Sequence, residues 1–170
     1  FSIKKIIASI RGKTSSQRKN KKSFVAMLDN GGGKKWETEF FEEDPNLLVS
    51  TSYANNQILL TGQKSTRFNG RGDAWLVSLN LKGKKKWEES YGGRGADGGN
   101  YAIKVSDGGY MMVGYTDAYG SGKNDIWLIK TDFTGEKEWS AVYGGKMDDY
   151  GWGVTETDDG GYVVVGETFS

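Results

Sequence analysis

The chain contains no cysteine and no histidine, and only one of its 170 residues is proline. Without cysteine there are no disulfides, no Cys-ligated zinc and no thiol nucleophile. Without histidine the commonest general base and metal ligand is missing. No apolar run approaches the roughly 20 residues of a membrane-spanning helix, and the apolar stretch within Phe1–Ile10 is too short for a signal-peptide core. We therefore predict no catalytic residue, no bound metal, no cofactor and no membrane span.

Glycine, aromatic residues and unevenly placed charge are what the chain has in abundance. Its 26 glycines and 13% aromatic residues are typical of many short strands joined by tight turns. Residues 1–36 carry ten Lys or Arg and one Asp, whereas the remainder has 13 basic and 21 acidic residues. Six of the basic residues lie in the segment Arg11–Lys22. Such a segment steers anionic partners, but we interpret it as a solvated loop and do not favour nucleic acid as a partner.

A repeat of 51 to 52 residues runs through the chain. The last two copies are the plainest, with GGYMMVGYTD at 108–117 matching GGYVVVGETF at 160–169. Repeats of this length are typical of propellers and other repeat architectures. Three sets of residues recur at this spacing: Trp36, Trp87 and Trp139; Phe24, Trp75 and Trp127; Gly62, Gly114 and Gly166.

Each repeat reads as four short strands. Apolar and polar residues alternate in runs of five to eight, which is the period of a β-strand. Asp107-Gly108-Gly109 has the composition of a hairpin turn that needs a positive φ. Four antiparallel strands per repeat form a propeller blade, so we predict an all-β fold with about three and a half β-propeller blades. In the third copy the strands are predicted at Tyr101–Ser106, Tyr110–Thr116, Asp125–Thr131 and Lys137–Tyr143.

The connection between the third and fourth strands carries a resemblance to a known family. In each copy an Asp or Asn is followed three residues later by Gly and four residues after that by Trp: Asp29, Gly32 and Trp36; Asn80, Gly83 and Trp87; Asp132, Gly135 and Trp139. This pattern resembles the tryptophan-docking motif of quinoprotein-like, PQQ-type propellers. The DGGY and YGG segments also resemble repeat arrays of prokaryotic surface proteins.

The resemblance implies a blade order and a place for the tryptophans. The innermost strand comes first and the Trp-bearing strand lies outermost, with each Trp packed between adjacent blades. Trp87 and Trp139 are therefore predicted to be buried. The chain divides into an incomplete blade at 1–46, blades at 47–98 and 99–150, and the start of a fourth at 151–170. The two end blades lack strands, so either the chain continues or copies self-associate to complete a ring. A secreted, cell-surface or periplasmic location is favoured.

The predicted function is recognition or scaffolding without catalysis, with a protein or a glycan as partner. Functional residues on such scaffolds lie on the longer, less repetitive connections. Here those connections are Lys13–Lys22, Lys64–Gly72 and Asp117–Asn124, together with Phe41–Leu47, Gly92–Gly99 and Gly144–Tyr150. The alternative is a fragment of a propeller enzyme, of the quinoprotein dehydrogenase or polysaccharide lyase type, whose active-site residues lie outside this chain. The predicted binding residues are Arg67, Phe68, Arg71, Asp97, Tyr119, Lys123, Asp149, Tyr150 and Trp152.

Three other patterns receive structural interpretations. Arg71-Gly72-Asp73 spells an integrin-type tripeptide, but Asp73 aligns with Asp125 and so marks a strand entry. Gly12-Lys13-Thr14 lacks the earlier glycine of a phosphate-binding loop. The carboxylates of Asp97, Asp148 and Asp149 are interpreted as turn caps, with a cation site as the less favoured reading. Trp152 is the tryptophan outside the repeat positions, and is predicted to lie between loop and strand beside Tyr150.

Overall fold

The fold is all-β and is built from antiparallel sheets of two to four strands. A computed structural model describes residues 6–10, 23–40, 46–65 and 71–169, with the backbone alone for residues 6–10. These residues form thirteen strands and no helix, and so contain no helix that could span a membrane. The strands are β1 (Ile6–Ile10), β2 (Ser23–Leu28), β3 (Lys34–Phe40), β4 (Leu47–Ala54), β5 (Gln57–Ser65), β6 (Gly72–Asn80), β7 (Lys85–Tyr91), β8 (Asp97–Lys104), β9 (Tyr110–Thr116), β10 (Asp125–Thr131), β11 (Lys137–Tyr143), β12 (Asp149–Glu156) and β13 (Tyr162–Thr168).

The strands group into four sheets in which neighbours in sequence are neighbours in space. The first sheet holds β1 to β3, the second β4 to β7, the third β8 to β11 and the fourth β12 and β13. The prediction of four-stranded antiparallel blades is confirmed. In the third sheet, β9, β10 and β11 have the predicted bounds, but β8 begins at Asp97 rather than at Tyr101.

The sheets pack against one another through three apolar clusters, one at each junction. At the middle junction, Leu59 and Leu76 of the second sheet contact Tyr110, Met112 and Trp127 of the third. The first strands adjoin as well, because β8 contacts both β4 and β12. Blades of a propeller are arranged in this way, with their innermost strands side by side.

A β-bulge recurs in the first strand of the second, third and fourth sheets. In β8, Gly99 pairs with Gly114 and Tyr101 pairs with Val113, so Asn100 is the extra residue. The equivalent extra residues are Val49 in β4 and Trp152 in β12. The bulge brings the strand backbone close to a glycine of the next strand, where a Cβ at Gly114 would overlap the carbonyl oxygen of Gly98. This close approach is the physical reason for the repeated glycine.

The turn between the third and fourth strands explains the repeated Asp or Asn and Gly. The Asp132 Oδ1 atom accepts hydrogen bonds from the backbone N–H groups of Thr134 (2.8 Å) and Glu136 (2.9 Å). Gly135 has φ +95°, a conformation in which a side chain is strained. Asp29 and Asn80 make the same pair of bonds in their own turns.

Each of the first two repeat tryptophans contacts the turn of the sheet that follows. The Trp36 Nε1 group donates to the carbonyl oxygen of Leu81 at 2.8 Å, and its ring lies against Gly83. The Trp87 ring lies against Gly135 in the same manner. Trp139 is 41% exposed, so the prediction that it is buried is wrong. The physical reason is that the described residues of the fourth sheet include no turn equivalent to the one that covers Trp36 or Trp87.

Candidate functional site

One edge of the stack, here called the loop face, collects the connections into each first strand and out of each second strand. Its described segments are residues 92–96, 117–124 and 144–148. Backbone bonds tie them together, because Asp117 N donates to Ala96 O (3.1 Å) and Asp149 N donates to Asn124 O (2.7 Å). The predicted binding residues Arg67 and Phe68, the segment Arg11–Lys22 and the Gly12-Lys13-Thr14 motif lie outside the described residues.

Asp97 and Asp149 are buried beneath the loop face, not displayed on it. They are the first residues of β8 and β12, and their side chains are 0% and 1% exposed. The Oδ2 atom of Asp97 accepts from Gly93 N (2.9 Å), and that of Asp149 accepts from Gly145 N (2.8 Å). Both therefore hold the turn that joins one sheet to the next. Their placement in loops was wrong, because each strand continues through its glycine-rich start, and their burial leaves no surface for a partner to contact.

A second carboxylate accompanies each of these aspartates. A Cβ at Gly92 would meet both Asp73 and Asp97, and a Cβ at Gly144 would meet both Asp125 and Asp149. Burial raises the pKa of Asp97, and burial together with the nearby Asp97 charge raises the pKa of Asp73. Among the described residues there is no group of three or more acidic side chains placed to hold a metal ion.

The integrin-type tripeptide is part of a strand. Gly72 and Asp73 are the first residues of β6, and a Cβ at Gly72 would overlap the side chain of Gln63. Arg71 lies 3.6 Å from Asp117 in an ion pair. The tripeptide therefore does not form a protruding loop. This agrees with the alignment of Asp73 with Asp125, which predicted a strand entry.

Three aromatic rings form a row on the loop face at the junction of the third and fourth sheets. The Tyr115 and Tyr150 rings meet edge to face at 5.3 Å, and the Tyr150 and Trp152 rings stack at 6.0 Å with 26° between their planes. Trp152 ends the row and is 49% exposed. It is the bulge residue of β12 and thus lies inside the strand, not at its entry as predicted. The bulge turns this large apolar side chain out of the sheet.

Polar groups with fixed partners lie beside the aromatic row. The Asn124 Nδ2 group donates to both the Tyr150 hydroxyl and Asp148 Oδ1, each at 2.8 Å. The hydrogen bond from Asn124 and the charge of Lys123 lower the pKa of Asp148, so this carboxylate stays ionised at neutral pH. Burial raises the pKa of Tyr150, so its hydroxyl keeps its proton.

The remaining predicted residues of the loop face are partly engaged. The Tyr119 hydroxyl donates to the Gly92 carbonyl oxygen at 3.0 Å, while its ring packs on Trp127 and stays 45% exposed. Lys123 lies 3.6 Å from Asp148. Lys123 and Arg71 therefore each lie beside a carboxylate.

The structure adds Tyr115 and Asn124 to the residues predicted from sequence. Neither stands out in the repeat, because Tyr115 is one of two aromatic residues in β9 and Asn124 is one of several polar residues in the loop 117–124. Their roles depend on the meeting of two sheets. Scans against family models and curated proteins found no match to this chain.

Proposed function

We propose that this chain is a non-catalytic recognition module that binds a glycan on the loop face, with Trp152 as the central contact. The observation that supports this most is the exposed ring of Trp152, stacked on the half-buried Tyr150 beside the fixed polar groups of Asn124 and Asp148. Trp152 is 49% exposed, and a large exposed aromatic side chain beside the loops of this edge is a candidate contact for a partner.

The chemistry of the row suits a sugar ring. A pyranose offers an apolar C–H face and a rim of hydroxyl groups, and the flat ring of Trp152 is matched to the first. The Asp148 carboxylate and the Asn124 side chain are within reach of the same surface and serve as hydrogen-bonding partners for hydroxyls. Binding sites commonly combine an apolar wall with a few well-placed polar groups in this way.

The charge of the face favours a neutral glycan over a polyanion. Arg71 and Lys123 each lie 3.6 Å from a carboxylate, Asp117 and Asp148 respectively. Binding to nucleic acid is driven mainly by unpaired cations that neutralise phosphates. A location at the cell surface, in the periplasm or outside the cell would bring the module into contact with such glycans.

A protein partner is the second candidate and draws on the same surface. Tyr and Trp are enriched at protein interfaces, and Tyr119, Tyr150 and Trp152 would serve there as anchors. The enzyme-fragment reading remains a hypothesis about residues beyond this chain. Self-association is a separate proposal that concerns the two end sheets.

The test is binding of the purified chain to a panel of neutral and acidic polysaccharides by isothermal titration calorimetry. We expect binding to a neutral polysaccharide, and Trp152→Ala should weaken it at least tenfold because the stacking surface is lost. Val49→Ala is the matched control, since Val49 is the equivalent bulge residue and is 43% exposed. A chain that binds no polysaccharide, or a Trp152→Ala variant that binds as tightly as the original, would refute the glycan proposal.

A further inference from the structure

Internal sheets are joined by a tryptophan that packs on the turn of the following sheet. One end of the sheet stack carries such a tryptophan, and the other end carries such a turn. We propose that copies of this chain associate head to tail. Trp139 of one copy docks on the 29–33 turn of the next, and β2 and β3 of that copy complete the sheet begun by β12 and β13. The proposal does not depend on glycan binding, because it is argued from Trp139, Phe24 and the 29–33 turn.

At the internal junctions, a tryptophan ring packs against the glycine of the next sheet's turn. Trp36 lies against Gly83, and Trp87 lies against Gly135. At the ends of the stack, the tryptophan and the turn have no such partner among the described residues. Trp139 is 41% exposed, and no described residue comes within 4 Å of a Cβ built at Gly32. Gly32 has φ +84°, close to the +77° of Gly83, so the vacant turn has the conformation of a filled one.

A second pair of complementary features lies beside the dock. At the middle junction the Trp127 side chain is 2% exposed because residues of two sheets surround it: Ala74, Leu76, Tyr91, Tyr110 and Met112. Adding 52 to each of these numbers gives residues that line an open groove between the third and fourth sheets: Ile126, Leu128, Tyr143, Tyr162 and Val164. The groove is therefore the Trp127 pocket repeated one sheet further on, without an occupant among the described residues.

Phe24 is the side chain that fits this groove by position. It is the equivalent of Trp75 and Trp127 in the repeat. Those two residues are 1% and 2% exposed, whereas Phe24 is only half-buried because no described sheet precedes β2. Docking the first sheet of one copy on the fourth sheet of another would place Phe24 in the groove and bury both apolar surfaces.

The strand order permits this assembly if β13 of one copy replaces β1 of the other as the neighbour of β2. The strand β13 is a second strand, like β9, and β9 pairs with the third strand β10. In the composite sheet β13 would pair with β2 of the other copy and take the place of β1. The resident ladder between β1 and β2 joins five residue pairs, whereas β13 offers seven residues. Val163 and Val165 of β13 are 56% and 64% exposed, whereas the equivalent Met111 and Val113 of β9 are buried against the next sheet, so this face of β13 also lacks a neighbour among the described residues.

Each copy contributes three sheets to the assembly, so two copies would close a ring of six, a number within the range of propellers.

The test is the molar mass of the 170-residue chain, measured by light scattering after size exclusion at several protein concentrations. We expect a dimer whose share increases with protein concentration. Trp139→Ala should weaken dimerisation at least a hundredfold, since a closed ring loses an aromatic anchor at both junctions. Tyr119→Ala is the control, because Tyr119 is a 45% exposed aromatic residue in the loop between β9 and β10, outside both end sheets, and this variant should leave the dimer intact. A wild-type chain that remains monomeric overturns the proposal. Trp139 and the groove would then be left for a different partner, such as a further repeat.

A mixing experiment separates head-to-tail contact from a symmetric interface. Phe24→Glu damages only the head and Trp139→Ala only the tail, and circular dichroism establishes that each variant is folded. Mixed together, they retain one intact junction and should form heterodimers at concentrations where each alone is monomeric. If the mixture stays monomeric while the wild type dimerises, the contact is not head to tail.

Discussion

Trp87 and Trp139 are equivalent residues of consecutive sheets and differ in what covers them. The Trp87 ring lies against Gly135 and packs on the middle cluster, including Tyr110 at 5.2 Å between ring centroids. Trp87→Ala should therefore lower the free energy of unfolding by roughly 3 kcal/mol. Trp139→Ala should lower it by less than about 1 kcal/mol, because the ring is already exposed to water. Urea denaturation of both variants measures the difference.

Equal losses for the two tryptophans would contradict this account, since burial against the following turn would then not determine the stability. The measurement should be made at protein concentrations where the chain is monomeric. The Trp139→Ala effect then reports on the single chain and not on association.

Asp97 gives the junction a dependence on pH. Burial raises its pKa in the folded state above the value of about 3.9 in the unfolded chain. The folded state thus binds the proton more tightly, and this contribution to stability is fully present below the unfolded pKa and is lost as pH rises through the folded pKa. The Asp97→Asn variant should lose less stability than the wild type when urea unfolding is compared at pH 3.5 and pH 7.

The pKa of Asp148 is shifted in the opposite direction to that of Asp97. Its pKa is lowered, by the Asn124 hydrogen bond above all, so its contribution is present above the unfolded pKa and is lost as pH falls. Asp148→Asn should therefore not flatten the pH profile as Asp97→Asn does. If Asp97→Asn leaves the wild-type profile unchanged, the buried carboxylate is not the origin of the pH dependence.

The recurring element is a bulged first strand that crosses closely over a glycine of the second strand. A Cβ at Gly62 or Gly114 would overlap a backbone oxygen, which no side-chain movement relieves. Gly114→Ala should cost about 1 to 3 kcal/mol, the usual range for overpacking, or more. Gly31→Ala is the control, because a Cβ there meets only Asp29 Oδ1, at an ordinary 3.5 Å. Thermal unfolding followed by circular dichroism measures both, and similar melting temperatures would refute the close approach.

Sequence predicted the strands well where alternation and turn residues agree. β9, β10 and β11 have their predicted bounds because each is bordered by a loop or turn rich in glycine or aspartate. The start of β8 was missed because Asp97, Gly98 and Gly99 have turn-like composition, yet the bulged backbone uses these glycines within the strand. The sequence showed that Gly114 recurs at the repeat spacing, but it did not show that the Gly98 carbonyl oxygen lies against this glycine.

The candidate site was less predictable than the strands. Trp152 stood out because it departs from the repeat, but its stack on Tyr150 requires the bulge, and Tyr115 joins the row only where two sheets meet. Asp97 and Asp149 were predicted in the connections Gly92–Gly99 and Gly144–Tyr150, whereas the structure buries both. One turn amide bonds to the Oδ2 atom of each, a tertiary feature without a sequence pattern of its own.

At the scale of the whole molecule, stability should vary along the stack of sheets. Repeat architectures gain much of their stability from contacts between neighbouring units. The third sheet has a neighbour on each side, and β9 is buried along nearly all its length, whereas β13 is mostly exposed. Local opening should therefore be easiest at the fourth sheet.

Hydrogen exchange followed by mass spectrometry tests this gradient and the proposed association together. In the Trp139→Ala variant, peptides covering β13 should exchange much faster than those covering β9, since β13 has a neighbouring strand on one edge only among the described residues. In the wild type, exchange at β13 should slow as protein concentration rises, because pairing with β2 of another copy would protect its free amide groups. Exchange at β9 should not change with concentration, which makes it the internal control. If β13 exchanges as slowly as β9 in the dilute variant, stability does not follow neighbour contacts in this stack, and the exposed strand is held by something other than its paired edge.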